Sequence, residues 1–372
     1  MKINKKAYIN NFHAISSAGN SAEELFESIC EKKDCISIDS TYVKDRNVAI
    51  GKIKNDKSFK ELLLEGCKRV LDESSLSDYS NTLLIVGSSV GGMGVTESVY
   101  FQDKSYENID YKEHTIDSIA YNLKKEFTFY DDVSFSTACT SSANALGYAK
   151  EVLSKGIYKN VLVVGADSLC STTVCGFAAL SVLSSKPCTP FDKNREGMNV
   201  SEAIAILLLQ DEKTENSVEL CGVGYSSDSH HMTQPHPDGL GAKNAIENAL
   251  SDASITFEQV DYINAHGTGT IANDNSEANA VASLFTNKPY LGSTKSFTGH
   301  TLGAAGAIEA IISVMCLQKQ IVVPCKDLET PNRDDISFTN EALSSNLNYV
   351  VSNSFAFGGN NTSLVFGKCN EN

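Results

Sequence analysis

Two stretches, "VSFSTACTSSANALGYAKEV" (133–152) and "YLGSTKSFTGHTLGAAGAIEA" (290–310), decide how this chain is read. Each runs from a strand-like apolar segment through Ser-Thr-polar residues into a helix that opens on small side chains. The spacing predicts helices over 140–156, stopped by Gly156, and over 301–320. Their shared order implies an internal duplication, two similar α/β halves. Around the first stretch lie "TLLIVGSSVGG" (82–92), "NVLVVGADS" (160–168) and "EAIAILLLQ" (202–210). These runs scarcely alternate, as expected of strands buried on both faces. After the polar stretch "QDEKTENS" (210–217) the same grammar returns in "QVDYINAHGTGT" (259–270) and "PYLGSTKSFTGH" (289–300). A boundary within that polar stretch gives halves of 1–215 and 216–372, with helices over a largely parallel or mixed sheet.

Composition narrows the function classes. With 372 residues, 41% apolar and 21% charged, the chain reads as a soluble globular protein with a large core. No apolar run approaches the roughly 20 residues that cross a bilayer. The stretch "MKINKKAYINNF" (1–12) lacks the apolar segment of a secretory signal, so a cytoplasmic protein is expected. A net charge of −15 argues against a nucleic-acid surface. The eleven cysteines are odd in number and form no C-x-x-C pair, so they read as reduced thiols. "SSDSHHMTQPH" (226–236) holds three histidines but no carboxylate or thiol at zinc-ligand spacing, and no metal is expected.

Cys139 stands out because a strand ends and a helix begins there. A helix N-terminus carries about half a positive charge, which stabilises a thiolate and lowers the thiol pKa. Its small neighbours Ala138, Thr140, Ser141 and Ser142 leave room for a substrate carbonyl. Position alone leaves a buried structural cysteine equally open. His266, in "NAHGTGT", and His300, five residues after Lys295, also fall at strand-to-helix junctions, where α/β sheets build sites. Two histidines and a lysine beside a thiolate are suited to covalent acyl chemistry. "NSFAFGGNN" (353–361) reads by itself as a tight turn.

Taken together, "STACTSS", "TPFDKNREGMNVSEA", "SSDSHHMTQP", "NAHGTGTIANDNSEANAV", "STKSFTGHTLGAAGAIEA" and "NSFAFGGNN" resemble, in order and spacing, the elongating β-ketoacyl-acyl-carrier-protein synthases of the thiolase superfamily. The resemblance implies the thiolase fold, an α/β architecture of two pseudo-duplicated halves in a five-layer αβαβα arrangement. It implies an acyltransferase that joins an acyl thioester to malonyl-acyl carrier protein with loss of carbon dioxide, in fatty acid or polyketide synthesis. Cys139 would carry the acyl chain, and His266 and His300 would polarise the malonyl thioester. Lys295 would add positive charge beside them. The backbone N–H groups of Cys139 and Phe357 would form the oxyanion hole, with Phe357 as a gate. Thr268 and Thr270 would contact the pantetheine arm, Val90 and Met198 would bind the acyl chain, and Asp274 and Glu277 would brace the site. No resident cofactor is implied, because phosphopantetheine arrives on the carrier. The implied partners are the acyl carrier protein and a second subunit, in a homodimer or a heterodimer with another ketosynthase-like chain.

The chain also departs from the family pattern. Ala356 and Asn360 replace a glycine and a threonine of the gating loop, and Met198 stands where phenylalanine is common. Alanine at a hinge is expected to restrict the gate. Thr189 occupies a position where arginine often helps dock the carrier. The densest basic cluster, Lys52, Lys54, Lys57, Lys60, Lys68 and Arg69, is the nominated docking patch for an acidic carrier. These departures point to a specialised pathway, such as polyene synthesis. They also keep open a non-catalytic, chain-length-setting partner subunit, although Cys139 argues against it. A thiolase that does not decarboxylate is disfavoured by the second histidine.

Overall fold

Ten of the eleven strands of the main sheet fall into two sets of five, with the short strand Ser337–Phe338 added at the outer edge of the second set. The computed structural model describes residues 5–74 and 76–369, so residues 1–4 of the N-terminal stretch read above lie outside the described residues. The first set is β1 (Tyr8–Ser16), β2 (Thr82–Gly87), β3 (Asp131–Phe135), β4 (Asn160–Asp167) and β5 (Ala203–Gln210). The second is β6 (Val218–Ser227), β7 (Tyr262–Asn264), β8 (Tyr290–Gly292), β9 (Tyr349–Phe355) and β10 (Asn360–Lys368).

The first set is ordered β3-β2-β4-β5-β1 across its sheet and the second β8-β7-β9-β10-β6. These are the same order, counted from the start of each half. The pairing senses agree as well. The second strand of each half lies parallel to the third and fourth, and the fifth is antiparallel to the fourth and the first. The duplication legible in the two opening stretches is therefore a duplication of topology. A short antiparallel bridge, Tyr8↔Glu219 and Ile9↔Val218, joins the halves.

Helices cover every face. On the outer side of the first sheet, α1 (Phe59–Asp72) and α2 (Ser118–Glu126) pack Leu62, Val70 and Leu123 against Leu84, Val86 and Val164. Between the sheets lie α3 (Ser141–Ser154) and, further along the chain, a helix equivalent to it. On the outer side of the second sheet, α4 (Leu240–Ala253) and α5 (Ile271–Leu284) bury Ile246, Leu250 and Val281 against Ile263 and Val351. The second central helix is α6 (Ala305–Lys319). Alternate residues of the strands, such as Ile85 and Val163 in the first half and Val350 and Leu364 in the second, face α3 and α6. The result is the five-layer αβαβα arrangement, and strand runs that do not alternate in polarity follow from sheets covered on both sides.

The small residues opening α3 and α6 have a steric reason. A Cβ on Gly306 would lie 2.6 Å from the Ala143 nitrogen, and one on Gly87 would lie 2.5 Å from Ser142 Cα. Leu302–Lys319 is long and apolar enough to cross a membrane, but 89% of that window is buried between the sheets. Its all-round apolarity is that of a central core helix. The sequence boundaries need small changes. A 3-10 turn at Leu302–Ala304 precedes α6, and α3 ends at Ser154 with Gly156 just beyond, at φ 66°.

Candidate active site

Between β3 and α3 the chain turns through Ala138 at φ 53°, a left-handed conformation that costs a non-glycine residue about 1–2 kcal/mol. The Ala138 carbonyl accepts the Ser89 hydroxyl at 2.9 Å and the Ser141 hydroxyl at 2.6 Å, which hold the turn. Cys139 is thereby set one residue before Thr140, the N-cap of α3. It lines a cavity of about 290 Å3 together with Phe177, Met198, His266, Thr268, Thr270, His300 and Phe357. The Phe357 N–H acts on the Cys139 thiol in the direction that favours its thiolate.

The expectation that the helix end lowers this thiol's pKa is corrected. Burial pushes Cys139 up to about 12, while Lys295 and the Phe357 N–H act in the opposite direction. Only 7% of the residue is exposed, so removing the thiolate from water outweighs a partial charge at the helix end.

His266 follows β7 and His300 precedes the turn into α6, and the two rings meet edge to face with centroids 5.3 Å apart. Burial and the neighbouring Lys295 depress both imidazoles well below their ordinary range, so both are neutral at pH 7. The hydrogen bonds assign the tautomers. His300 Nδ1 accepts the Leu302 N–H at 3.1 Å, and His266 Nδ1 faces the Lys295 ammonium at 3.4 Å. With both Nδ1 atoms accepting, both Nε2 atoms carry the proton.

Carboxylates under the cavity hold this arrangement. Glu277 accepts the N–H groups of His266 and Gly267, each at 2.9 Å, and the Asn353 amide at 3.1 Å. Burial raises it to about 7 against those bonds. Asp274 accepts the Gly269 N–H at 3.2 Å and the Phe191 N–H at 2.8 Å, and lies 3.3 Å from Arg195 Nε. Thr268 and Thr270 share a 2.9 Å hydroxyl contact at the cavity wall.

Two carboxylates were not singled out in the sequence. Glu309, on α6, pairs with Lys295, both almost fully buried, and is itself raised to about 7 by burial. Asp167, at the end of β4, accepts the Ser88 hydroxyl and the N–H groups of Ser89, Val90 and Gly303, tying the loop after β2 to the turn behind His300. Burial raises it to about 6.

The remaining candidates divide. Met198 lines the cavity, whereas Val90 lies behind it, buried beside Met198, Val174 and Leu302. Phe357 occupies the turn joining β9 to β10, its ring 6.1 Å from that of Phe177. The left-handed positions of this turn are Gly358 at φ 85° and Gly359 at φ 79°, and Ala356 is not among them. In this arrangement of the gate Ala356 is not held at positive φ. A Cβ on Gly359 would fall 1.7 Å from the Asp228 carbonyl oxygen. In the nominated basic cluster, Lys57, Lys60 and Arg69 pair with Glu65, Glu113 and Glu73. Those pairs cancel half of its charge. Of the histidines at 226–236, His231 lines the cavity mouth, and His230 and His236 stack edge to face.

Known proteins carry the same architecture. Residues 54–215 match the β-ketoacyl synthase N-terminal domain and residues 218–329 match its C-terminal domain. A 3-oxoacyl-[acyl-carrier-protein] synthase 2 of Coxiella burnetii is 30% identical over 98% of this chain and 99% of that protein. A chain of the Xenorhabdus doucetiae complex of the ketosynthase ApeO with its chain length factor ApeC superposes with a TM-score of 0.89 at 29% identity, covering 98% of both chains. A chain of AntDE:AntF, a type II polyketide acyl-carrier protein in complex with its ketosynthase, gives a TM-score of 0.89 at 25% identity over 99% of this chain and 100% of that one.

Proposed function

The chain belongs to the β-ketoacyl synthase family and is a condensing enzyme of the 3-oxoacyl-acyl-carrier-protein synthase type, and on that footing we propose how its own residues divide the reaction. The reading is carried by one observation. Cys139 from the first half and two neutral, Nε2-protonated histidines from the second half line one cavity.

In the first stage the Cys139 sulfur attacks the carbonyl of an acyl thioester, and its proton passes to the departing carrier thiol. A thiol raised to about 12 is a weak nucleophile. The thiolate that attacks is the minor form, favoured by the Lys295 charge and the Phe357 N–H. The oxyanion that forms on the carbonyl is held by the N–H groups of Cys139 and Phe357. Each such donor typically contributes about 10²–10³ in rate.

In the second stage the Nε2–H groups of His266 and His300 donate to the malonyl thioester carbonyl. The carboxylate leaves as carbon dioxide, and its bonding electrons form an enolate stabilised by those two donors. The enolate carbon attacks the Cys139 thioester, and the tetrahedral intermediate expels Cys139 sulfur as a thiolate that then takes up a proton. Histidines that are already neutral donate without first losing charge. Lys295 keeps the His266 tautomer in place. Thr268 and Thr270 receive the pantetheine arm, and Met198 faces the acyl chain while Val90 backs it. The chain needs no resident cofactor, works in the cytoplasm, and docks its acidic carrier through Lys52, Lys54 and Lys68. It pairs with a second copy or with a ketosynthase-like subunit, as ApeO does with ApeC.

The test is to incubate the protein with acyl- and malonyl-loaded carrier, alone and with a ketosynthase-like partner subunit. β-Ketoacyl product and an acyl adduct on Cys139 by mass spectrometry are expected, with neither from Cys139→Ser. Product without a Cys139 adduct would overturn the assignment of the nucleophile. Absence of both in every arm would overturn the catalytic reading in favour of a non-catalytic subunit.

A further inference from the structure

The oxyanion donors assigned above belong to different halves of the molecule. The Cys139 N–H precedes α3, whereas the Phe357 N–H sits in the turn between β9 and β10. Their separation depends on whatever ties that turn to the start of α3.

One side chain makes this tie directly. Asn360, the first residue of β10, presents Oδ1 to the Thr140 hydroxyl at 2.6 Å and to the Asn144 side-chain amide at 3.1 Å. Thr140 follows the nucleophile, and Asn360 lies three residues after the gate. Asn144 is then gripped a second time by the same strand, because its Oδ1 accepts the Thr362 hydroxyl. Residues 360 and 362 share one face of β10, so both contacts reach the same helix. Asn144 Nδ2 also lies 2.8 Å from Thr137 Oγ1, which extends the network to the loop before Cys139. The main chain closes the circuit, since the Ala356 N–H donates to the Asn360 carbonyl at 2.8 Å.

We propose that Asn360 is a positioning residue that clamps the Phe357 turn to the N-terminus of α3 through Thr140 and Asn144, and so sets the spacing of the two oxyanion donors. This rests on the assignment of those donors under Proposed function. Asn360 does not touch the reacting atoms. Its loss acts through the misplacement of the Phe357 N–H. Steps that pass through an oxyanion on the Cys139-bound carbonyl should suffer. Malonyl decarboxylation, supported by His266 and His300, should not.

The experiment compares wild type, Asn360→Ala, Asn360→Thr and Asn144→Ala. The readouts are Cys139 acylation by time-resolved mass spectrometry, and malonyl-carrier decarboxylation without an acyl donor. Asn360→Ala is expected to slow acylation about 10- to 100-fold, less than or equal to the loss of one oxyanion donor. KM for the acyl carrier and the decarboxylation rate should stay within about twofold, as for a group that acts only in the transition state. Asn360→Thr restores a side-chain oxygen acceptor and should recover most of the rate. Asn144→Ala should slow acylation in the same direction, and combining it with Asn360→Ala should add little, because the two share one contact. Wild-type acylation in Asn360→Ala would overturn the proposal. So would a matching fall in decarboxylation, which signals general damage. If Asn360→Ala does not fold, Asn144→Ala and Asn360→Thr decide on the same readouts. If wild type itself neither acylates nor condenses, the functional reading fails instead.

Discussion

Replacing Glu309 by glutamine is expected to separate stability from catalysis at the buried ion pair. Lys295 and Glu309 are each 1% exposed, and above pH 7, where Glu309 is ionised, its carboxylate is the only anion paired with that ammonium among the described residues. Removing one partner of a buried pair costs about 3–5 kcal/mol, since the remaining charge is left without compensation. Unfolding entropy of about 2.1 cal/mol/K per residue over 372 residues converts that cost into a fall in Tm of about 4–6 °C. The double replacement Lys295→Met/Glu309→Leu removes both charges and should return Tm to within about 2 °C of wild type, because a well-packed apolar pair is an adequate substitute. Activity should not follow. Without Lys295, His266 Nδ1 loses its donor and the Nε2–H tautomer is no longer enforced, so condensation should be about 10- to 100-fold down in the double variant. Thermal unfolding by differential scanning calorimetry, run beside the carrier-based condensation assay, measures both quantities. A Glu309→Gln protein with wild-type Tm would refute the reasoning, as would a double variant with wild-type activity as well as stability.

The pH dependence of Glu277 provides a second check. Its folded carboxyl holds a proton up to about 7, above the ordinary carboxylate range, so its contribution to stability is present at low pH and is lost as pH rises through 7. The stability of Glu277→Gln relative to wild type should therefore rise between pH 5 and pH 8, measured by denaturant titration, and a gap that moves the other way would contradict the assignment. Ala356→Gly should broaden acyl-chain acceptance by admitting gate conformations with positive φ, at a stability cost of about 0.4–1 kcal/mol. Identical chain-length profiles in competition assays would count against it. Gly359→Ala should cut condensation at least about tenfold, since both its φ of 79° and the nearby Asp228 carbonyl exclude a side chain there. A normal rate would show that the turn tolerates movement there.

Much of this architecture is legible in the chain because it depends on local order. The repeated strand, polar turn and small-residue helix at 133–152 and 290–310 identify the duplication, and the motifs around Cys139, His266, Lys295 and His300 identify the cavity walls. The Cys139 pKa is not legible, because it is set by burial between elements far apart in sequence. Glu309 did leave a signal. It is the sole charge in "AGAIEAIISVMC" (305–316), and a carboxylate amid such apolarity needs a buried partner. Asp167 left almost none, since an aspartate at a strand end reads as ordinary turn chemistry. The gate shows the same limit. Which of Ala356, Gly358 and Gly359 takes positive φ follows from the contacts of the turn with Asp228 and Met232.

The strand order of each half also governs how the protein is made. β1 pairs along its length with β5, with Ser16 beside Ala203 and Tyr8 beside Gln210, and otherwise only at Tyr8 and Ile9 with the later β6. On a ribosome adding about 5–20 residues per second, the interval between those partners lasts roughly 10–40 s. Throughout it, the first strand has no ladder partner and must be shielded by chaperones or by transient contacts. The second half repeats the delay on a shorter scale, with β6 waiting for β10. Synthesis rate and chaperone supply, rather than equilibrium stability alone, should thus set the yield of native enzyme. Slowing translation after residue 210 should favour closure of the first half before the second emerges.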